Sequence, residues 1–396
     1  MTLGSAKEMP PYTVLPHDPS WIYPRWLHTY HLAMARRFLG SQSFKGRGAL
    51  SNPHVRFDST SVEKADDGWY LEEESAAALP EVVLPDHAKT VITTNDSPDV
   101  GFDQSINPYR GCSHGCVYCF ARPTHAYLGL SPGLDFETRL FYKDNAVELL
   151  RAELARRSYV CKPIALGINT DGWQPLEKRL KVTRSVLEVL AECRHPLTIV
   201  TKSTLILRDL DLLQDLARDR LVSVMVSITS LDNEIKRTLE PRTASPQARL
   251  NVIEHLSSSG VPVGVLVAPV IPSLTDHELE HILEAAKAAG ATSAGYVLLR
   301  LPLEVKDLFR EWLAEHYPGR AAHVMSLINQ SRGGKDYQSE FGTRMVGTGV
   351  FAQLLSRRFE LAKRKFGLEE GEGRHDLRTD LFRPPAKNRA QMTLGF

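Results

Sequence analysis

Between residues 103 and 300, short β-branched apolar runs alternate with helical patterns, and no other feature constrains the fold as tightly. The runs are DQSIN (103–107), IALGIN (164–169), LTIVT (197–201), LVSVMVSI (221–228), VPVGVLVAP (261–269) and AGYVLLR (294–300). Helical stretches stand between them: KRLKVTRSVLEVLAEC (178–193), RDLDLLQDLARD (208–219), SPQARLNVIEHLSSSG (245–260) and TDHELEHILEAAKAAG (275–290). Continuously apolar strands joined through helices predict a parallel sheet with right-handed crossovers. Ser245-Pro246 and Thr275-Asp276 read as helix starts, and Gly260 and Gly290 as left-handed stops. Six βα units fall short of the eight of a closed barrel, so an α/β fold with an open or partial barrel is expected. In such folds the chemistry sits at the carboxyl ends of the strands.

Around this segment the chain divides into an extension (1–95), the barrel (96–310), a C-terminal helical region (311–380) and a mobile tail (381–396). The extension is rich in Pro, Asp, Ser and Gly, with one helix expected in YPRWLHTYHLAMARRFLG. Its stretch KGRGALSNPHVRFDS (45–59), carrying Lys45, Arg47 and Arg56, reads as a loop wrapping a sheet edge, with nucleic-acid contact as the second reading. Formal net charge is +1, so no global field marks a polyanion binder. The longest apolar stretch, VPVGVLVAPVIP (261–272), is too short to span a bilayer, and no signal-peptide core opens the chain. Five cysteines in 396 residues make no disulfide framework, so a reducing, cytoplasmic compartment is expected.

Three of those cysteines, Cys112, Cys116 and Cys119, fall within NPYRGCSHGCVYCF (107–120). Soft thiolates select zinc, copper(I) or iron–sulfur. A structural zinc site takes four ligands, and only His114 and His125 stand near as a fourth. A [4Fe–4S] cluster normally takes four cysteines, so three would leave one iron open. The C-x3-C-x2-C spacing, with Tyr118 just before the third cysteine, resembles the signature of the radical S-adenosylmethionine (SAM) superfamily. That resemblance implies a partial (β/α)6 barrel and a [4Fe–4S] cluster on Cys112, Cys116 and Cys119, with SAM chelating the open iron. It further implies an external reductant, such as flavodoxin or ferredoxin, and cleavage of SAM to a 5′-deoxyadenosyl radical.

The next strand ends then become the candidate SAM contacts. Thr170 and Asp171 offer oxygens to the SAM ammonium, or else cap a helix through an Asx turn. Lys202 suits the SAM carboxylate. Ser227 and Thr229 put two hydroxyls on one face, unless Thr229 caps the following helix. These positions resemble the spore photoproduct lyase branch of the family, as does Ala268-Pro269, which corresponds to its adenine-contacting segment. LEPRTASPQARL (239–250) resembles that branch's Glu…Thr…Arg segment, so Glu240, Arg242 and Arg249 either help hold ribose or loop, or pair among themselves. The wider pattern, including TDxxQPxE and LRLP, resembles a bacterial photolyase-related group over about residues 95 to 310.

The same branch returns hydrogen from a cysteine at the end of its second strand, where this chain has Asn169. Cys161 and Cys193 precede the second and third strands and are expected at the opposite face. Tyr118 and Tyr296 are the candidate hydrogen donors, with packing as the alternative. At the terminus, Gln391, Leu394 and Phe396 in QMTLGF resemble the motif by which DNA repair proteins dock on the β sliding clamp, a back-folded end being the alternative.

Together these features predict a radical SAM enzyme of lyase or transferase type acting on a nucleic-acid base. Repair of a DNA lesion is expected, by a route distinct from spore photoproduct lyase, with the base extruded from its stack. RNA, a peptide or a small metabolite is the alternative substrate. A non-catalytic iron–sulfur protein that senses redox state beside the clamp is the alternative of another class.

Overall fold

All six expected strands form, and they lie side by side in the order in which the chain makes them. The computed structural model describes residues 44–58, 79–369 and 377–386, all within one unit spanning 41–396. The helix expected at 23–40 and the terminal residues Gln391, Leu394 and Phe396 lie outside the described residues. In chain order the strands are β1 (Val82–Pro85), β2 (Ile92–Thr94), β3 (Gln104–Ile106), β4 (Tyr109–Arg110) and β5 (Arg139–Tyr142). They continue as β6 (Ile164–Leu166), β7 (Leu197–Thr201), β8 (Val222–Ser227), β9 (Val263–Val270) and β10 (Ser293–Leu298). The main sheet runs β10-β9-β8-β7-β6-β3-β2, and a small one runs β1-β5-β4. Within the main sheet every pairing is parallel except that of β2 with β3. β10 and β2 remain as edges, so the sheet is open, as six βα units require. Because strand order never reverses, no switch point divides it. The boundary expected near residue 95 falls between β2 and β3, which are neighbours in one sheet.

On β8 and β9 alternate residues divide between two faces. On β8, Val222, Val224 and Val226 pack into the core shared with Val252, Ile253 and Leu256 of the helix Pro246–Ser258. Ser223, Met225 and Ser227 therefore point the other way. On β9 the division is Val263, Val265 and Val267 against Gly264, Leu266 and Ala268. The inner face thus mixes Ser223, Ser227, Gly264 and Ala268 with Met225 and Leu266, and Ser223, Met225, Leu266, Ala268 and Val297 are only half-buried. A Cβ on Gly264 would come within 2.3 Å of Ser293 Oγ and 2.7 Å of Met225 Sδ, so glycine is required there. By the same alternation Tyr296 points outward and lies 4.7 Å, centroid to centroid, from Phe359 of the helix Gly349–Lys365. Period two sends Tyr296 to the packing layer, which is the packing alternative rather than the donor role.

Ser245 caps its helix as expected, accepting from Ala248 N, and Gly260 and Gly290 adopt φ of +76° and +99°. Thr275 does not cap; its hydroxyl accepts from Ile271 N instead. The helix expected over 178–193 breaks into Glu177–Leu180 and Val182–Glu192, with Lys181 at φ +57°. The buried Glu177 carboxylate causes the break, because it accepts from Thr183 N (3.0 Å) and Arg184 N (3.2 Å) and so caps the second segment.

The C-terminal helices Val305–His316 and Pro318–Gln330 build a second core, in which Phe309, Trp312 and Leu313 cluster with Val117, Tyr118, Leu239 and Ile271. Residues 381–386, expected as the start of a mobile tail, are instead tied down. Phe382 lies 5.5 Å from the Tyr159 ring and 5.3 Å from the His195 ring, and Arg383 N donates to Cys193 O (2.8 Å). Among the described residues no helix is long and apolar enough to cross a membrane.

Candidate active site

The cysteine loop leaves the main sheet at the carboxyl end of β3 and is held by bonds that do not involve its sulfurs. Cys112 N donates to Phe136 O (2.9 Å), Val117 N to Leu239 O (3.1 Å) and Ser113 N to Gln174 Oε1 (2.9 Å). The fully buried Arg122 donates through Nε to Cys116 O (2.9 Å) and pairs with the equally buried Glu137. Glu137 also accepts from Gly48 N (3.0 Å) and Ala49 N (2.9 Å). The stretch 44–58 is therefore laid directly over the loop. Arg47 belongs to this packing, donating to Glu137 O and Leu79 O, which answers the question of wrapping or nucleic-acid contact for that side chain. A Cβ on Gly48 would sit 1.8 Å from Gly115 O. Gly48→Ala is accordingly expected to destabilise the protein by about 1–3 kcal/mol, read as a lower denaturant midpoint with faster proteolysis of this stretch.

The thiols sit in a site that disfavours their charge. Burial pushes Cys112 far above the ordinary thiol range, Cys116 up to about 12, and Cys119 upward against the opposing pull of Arg122 and Lys202. Backbone amides of His114 at Cys112, and of Ala121 and Arg122 at Cys119, oppose that burial. His114 Nδ1 lies 3.6 Å from Asp171 Oδ2, and His125 Nε2 faces Arg139 O at 2.9 Å, so His125 is already engaged. Among the described residues no set of three or more His, Cys, Asp or Glu side chains is placed to hold a single metal ion.

Beside the loop, at the ends of β7, β8 and β9, lies a network that centres on Glu240. Its carboxylate is 1% exposed and accepts from the Tyr118 hydroxyl, from Thr229 Oγ1 (2.7 Å) and from Arg249 Nη2, with Lys202 Nζ at 3.9 Å. Although burial opposes its ionisation, the charges of Arg249 and Lys202 and the bonds from Tyr118 and Arg249 hold its pKa at about 2. Arg249 also donates to Ser227 O (2.9 Å) and Thr243 Oγ1 (2.5 Å). Lys202 Nζ donates to Ser227 Oγ (2.9 Å), Ser227 Oγ donates to Ala268 O (3.1 Å), and Thr229 shares its one hydroxyl proton between Glu240 and Ala268 O (3.0 Å). Five expected contacts, Lys202, Ser227, Thr229, Arg249 and Ala268, thus converge, together with Tyr118. Their hub is Glu240, which the sequence leaves open between holding ribose or loop and pairing with a neighbouring arginine; its partner in the structure is Arg249.

Thr170 and Asp171 are engaged differently. Thr170 Oγ1 donates to Tyr109 O (3.1 Å). Asp171 accepts from Trp173 N (2.8 Å) in an Asx turn, and also from Thr201 Oγ1 and Lys202 N. The Asx turn of the capping alternative forms, but no helix begins there; the carboxylate ties the ends of β6 and β7 together instead. Cys161 and Cys193 lie before β6 and β7, at the amino ends of those strands; burial raises them to about 12 and about 11.

Residues 106–286 match the radical SAM superfamily, the segment that carries the cysteine loop and the Glu240 network. The chain belongs to this superfamily. An uncharacterised protein of Mycobacterium tuberculosis (H37Rv) is 43% identical over 231 residues, covering 58% of this radical SAM chain and 68% of that protein. An uncharacterised protein of Methanocaldococcus jannaschii is 27% identical over 213 residues, 54% of this chain and 76% of the other. Among solved structures, a spore photoproduct lyase variant matches with a TM-score of 0.53 at 16% identity, over 72% of this chain and 79% of that one. Another, with bound AdoMet and dinucleoside spore photoproduct, matches at 0.51 with 17% identity, over 72% and 78%. Radical SAM proteins as a family use a [4Fe–4S] cluster and SAM. The donor set here suits such a cluster, which takes one thiolate per iron and so does not need its ligands gathered on one point. The three sulfurs are within electrostatic reach of one another, and iron would neutralise the thiolates that burial disfavours.

Proposed function

We propose that this radical SAM protein acts on a nucleic-acid base, in repair of a DNA lesion, by a route that does not use the cysteine hydrogen donor of spore photoproduct lyase. The observation that carries the reading is the meeting of the three-thiol loop with the Lys202–Ser227–Glu240 network at the carboxyl ends of the strands, above a half-buried inner face. Cys112, Cys116 and Cys119 would hold the cluster. When bound, the cluster and SAM supply a 5′-deoxyadenosyl radical. Lys202 orients the SAM carboxylate, held in place by Ser227 and Glu240. Ala268 and Thr229 line the adjoining strand ends. Tyr118 serves as a positioning residue, since its hydroxyl is committed to Glu240. Asn169, whose backbone N–H donates to Asn107 Oδ1 (2.8 Å), has no thiol to offer a hydrogen atom to a product radical. A base as substrate is supported by the dinucleoside photoproduct bound in spore photoproduct lyase structures of the same fold.

Anaerobic reconstitution with iron, sulfide, SAM and a reductant is expected to yield 5′-deoxyadenosine. Adding ultraviolet-irradiated DNA is expected to consume a lesion, seen by mass spectrometry of the digested nucleosides. No 5′-deoxyadenosine would favour the redox-sensing alternative, and lesion loss with none of the irradiated bases restored would sink the repair reading. We also propose that Gln391, Leu394 and Phe396 dock on the β sliding clamp; deletion of 391–396 is expected to abolish clamp pull-down while sparing SAM cleavage.

A further inference from the structure

Just past the carboxyl end of β10 the chain reads LRLP (299–302), and among the described residues its arginine is paired with no acid. Arg300 Nη2 donates to Tyr337 Oη and Nη1 approaches Met345 Sδ, both at 3.3 Å. Its Nε is buried and has no acceptor, and no carboxylate among the described residues pairs with it. A phenol and a thioether are weak, neutral partners for a guanidinium that binds carboxylates and phosphates in a fork.

Arg332 deepens the imbalance. It is 1% exposed and spends its donors on the carbonyls of Leu298, Leu299, Thr343 and Arg344. Burial first, and then the charge of Arg300, lower its pKa to about 10. Among the described residues two guanidiniums therefore share one corner of the fold without a carboxylate partner, an arrangement that an incoming anion relieves.

The corner adjoins the cysteine loop. The Arg300 guanidinium lies over the ring of Phe120, the residue after Cys119, at 5.5 Å, and that ring is 42% exposed. Further along the same rim, Phe57 and Tyr127 face each other at 5.3 Å with exposures of 62% and 72%. Arg56 lies over both rings and is neutralised by Glu304 (2.6 Å), which follows LRLP by two positions. Exposed rings next to an unneutralised guanidinium match bases next to a phosphate.

We propose that Arg300 is an oxyanion site for a phosphodiester of the substrate strand, with Phe120, Phe57 and Tyr127 as stacking surfaces for its bases. The proposal rests on the nucleic-acid reading above and adds the group that holds the strand. The test is binding of a thymidine oligodeoxynucleotide of about ten residues to the full, cluster-loaded protein, by fluorescence anisotropy between about 50 and 200 mM salt. Arg300→Gln is expected to weaken binding about tenfold and to flatten the logarithmic salt slope by about one. Arg300→Lys, which keeps the charge without the fork, is expected to keep the slope and recover part of the affinity. Equal affinity and slope in wild type and Arg300→Gln would overturn the proposal. If the wild type binds no oligonucleotide, the nucleic-acid reading fails, and inorganic phosphate then decides the site alone. A phosphate-induced rise in melting temperature that Arg300→Gln abolishes supports it; no rise, or the same rise in both, overturns it.

Discussion

Cys112→Ala is expected to leave the protein folded but without iron or visible chromophore after reconstitution, and to cut SAM cleavage about a thousandfold or more. A reaction whose radical source is gone has no weaker route to fall back on, and each factor of ten corresponds to about 1.4 kcal/mol of barrier. The fold should survive because the loop is held without its sulfurs, by Cys112 N on Phe136 O, Ser113 N on Gln174 and the Arg122–Glu137 pair. Cys116→Ala and Cys119→Ala are expected to behave alike, whereas Cys161→Ala, at the amino end of β6, should keep iron and turnover. Iron analysis, the visible spectrum and 5′-deoxyadenosine yield check this together. Full iron loading in the Cys112 variant, or zinc in place of iron in the wild type, would remove the basis of the assignment.

Glu240→Gln is expected to cost about 3–5 kcal/mol of stability and most of the affinity for SAM. The amide keeps the shape but leaves Arg249, 1% exposed, with no counter-charge, and breaking a buried pair from one side is worth that much. The pH dependence supplies an independent readout. The carboxyl titrates near 4.5 when unfolded and near 2 when folded. An acid depressed by folding stabilises the native state above its unfolded value. That contribution, about 3 kcal/mol at 1.36 kcal/mol per unit, fades as pH falls from about 4.5 towards 2. Denaturant midpoints of the wild type should drop across this window more steeply than those of Glu240→Gln. Parallel profiles would show that the carboxylate does not hold the site as described.

Much of the main sheet was legible because its signal is local. Each strand is a short apolar run bounded by helix starts and stops, so IALGIN, LTIVT and LVSVMVSI could be read without knowing their neighbours. Their faces could not. Val224 and Met225 look alike in an apolar run, and only packing against Val252 and Ile253 sends the valine outward and leaves the methionine half-buried inside. For the same reason the sequence leaves Tyr296 open between hydrogen donor and packing, and only its contact with Phe359 decides for packing. The break at Lys181 was missed because Glu177, an ordinary helix former in sequence, is buried and turns its carboxylate onto Thr183 N and Arg184 N. For Asp171 the sequence offers a SAM contact or an Asx-turn cap, because both need a strand-end carboxylate; its oxygens accept from Trp173, Thr201 and Lys202, partners that only the fold brings together.

By itself the sequence determined how many soft ligands one loop can present. Cys112, Cys116 and Cys119 are close in the chain, so their spacing already limits what they can bind. Only the tertiary structure decided what surrounds them. Tyr118 and Glu240 stand 122 positions apart, and the Arg122–Glu137 pair reaches across to Gly48. Burial makes such contacts binding, because a charge taken out of water must find its partner wherever the fold has put it, however far along the chain that partner was made.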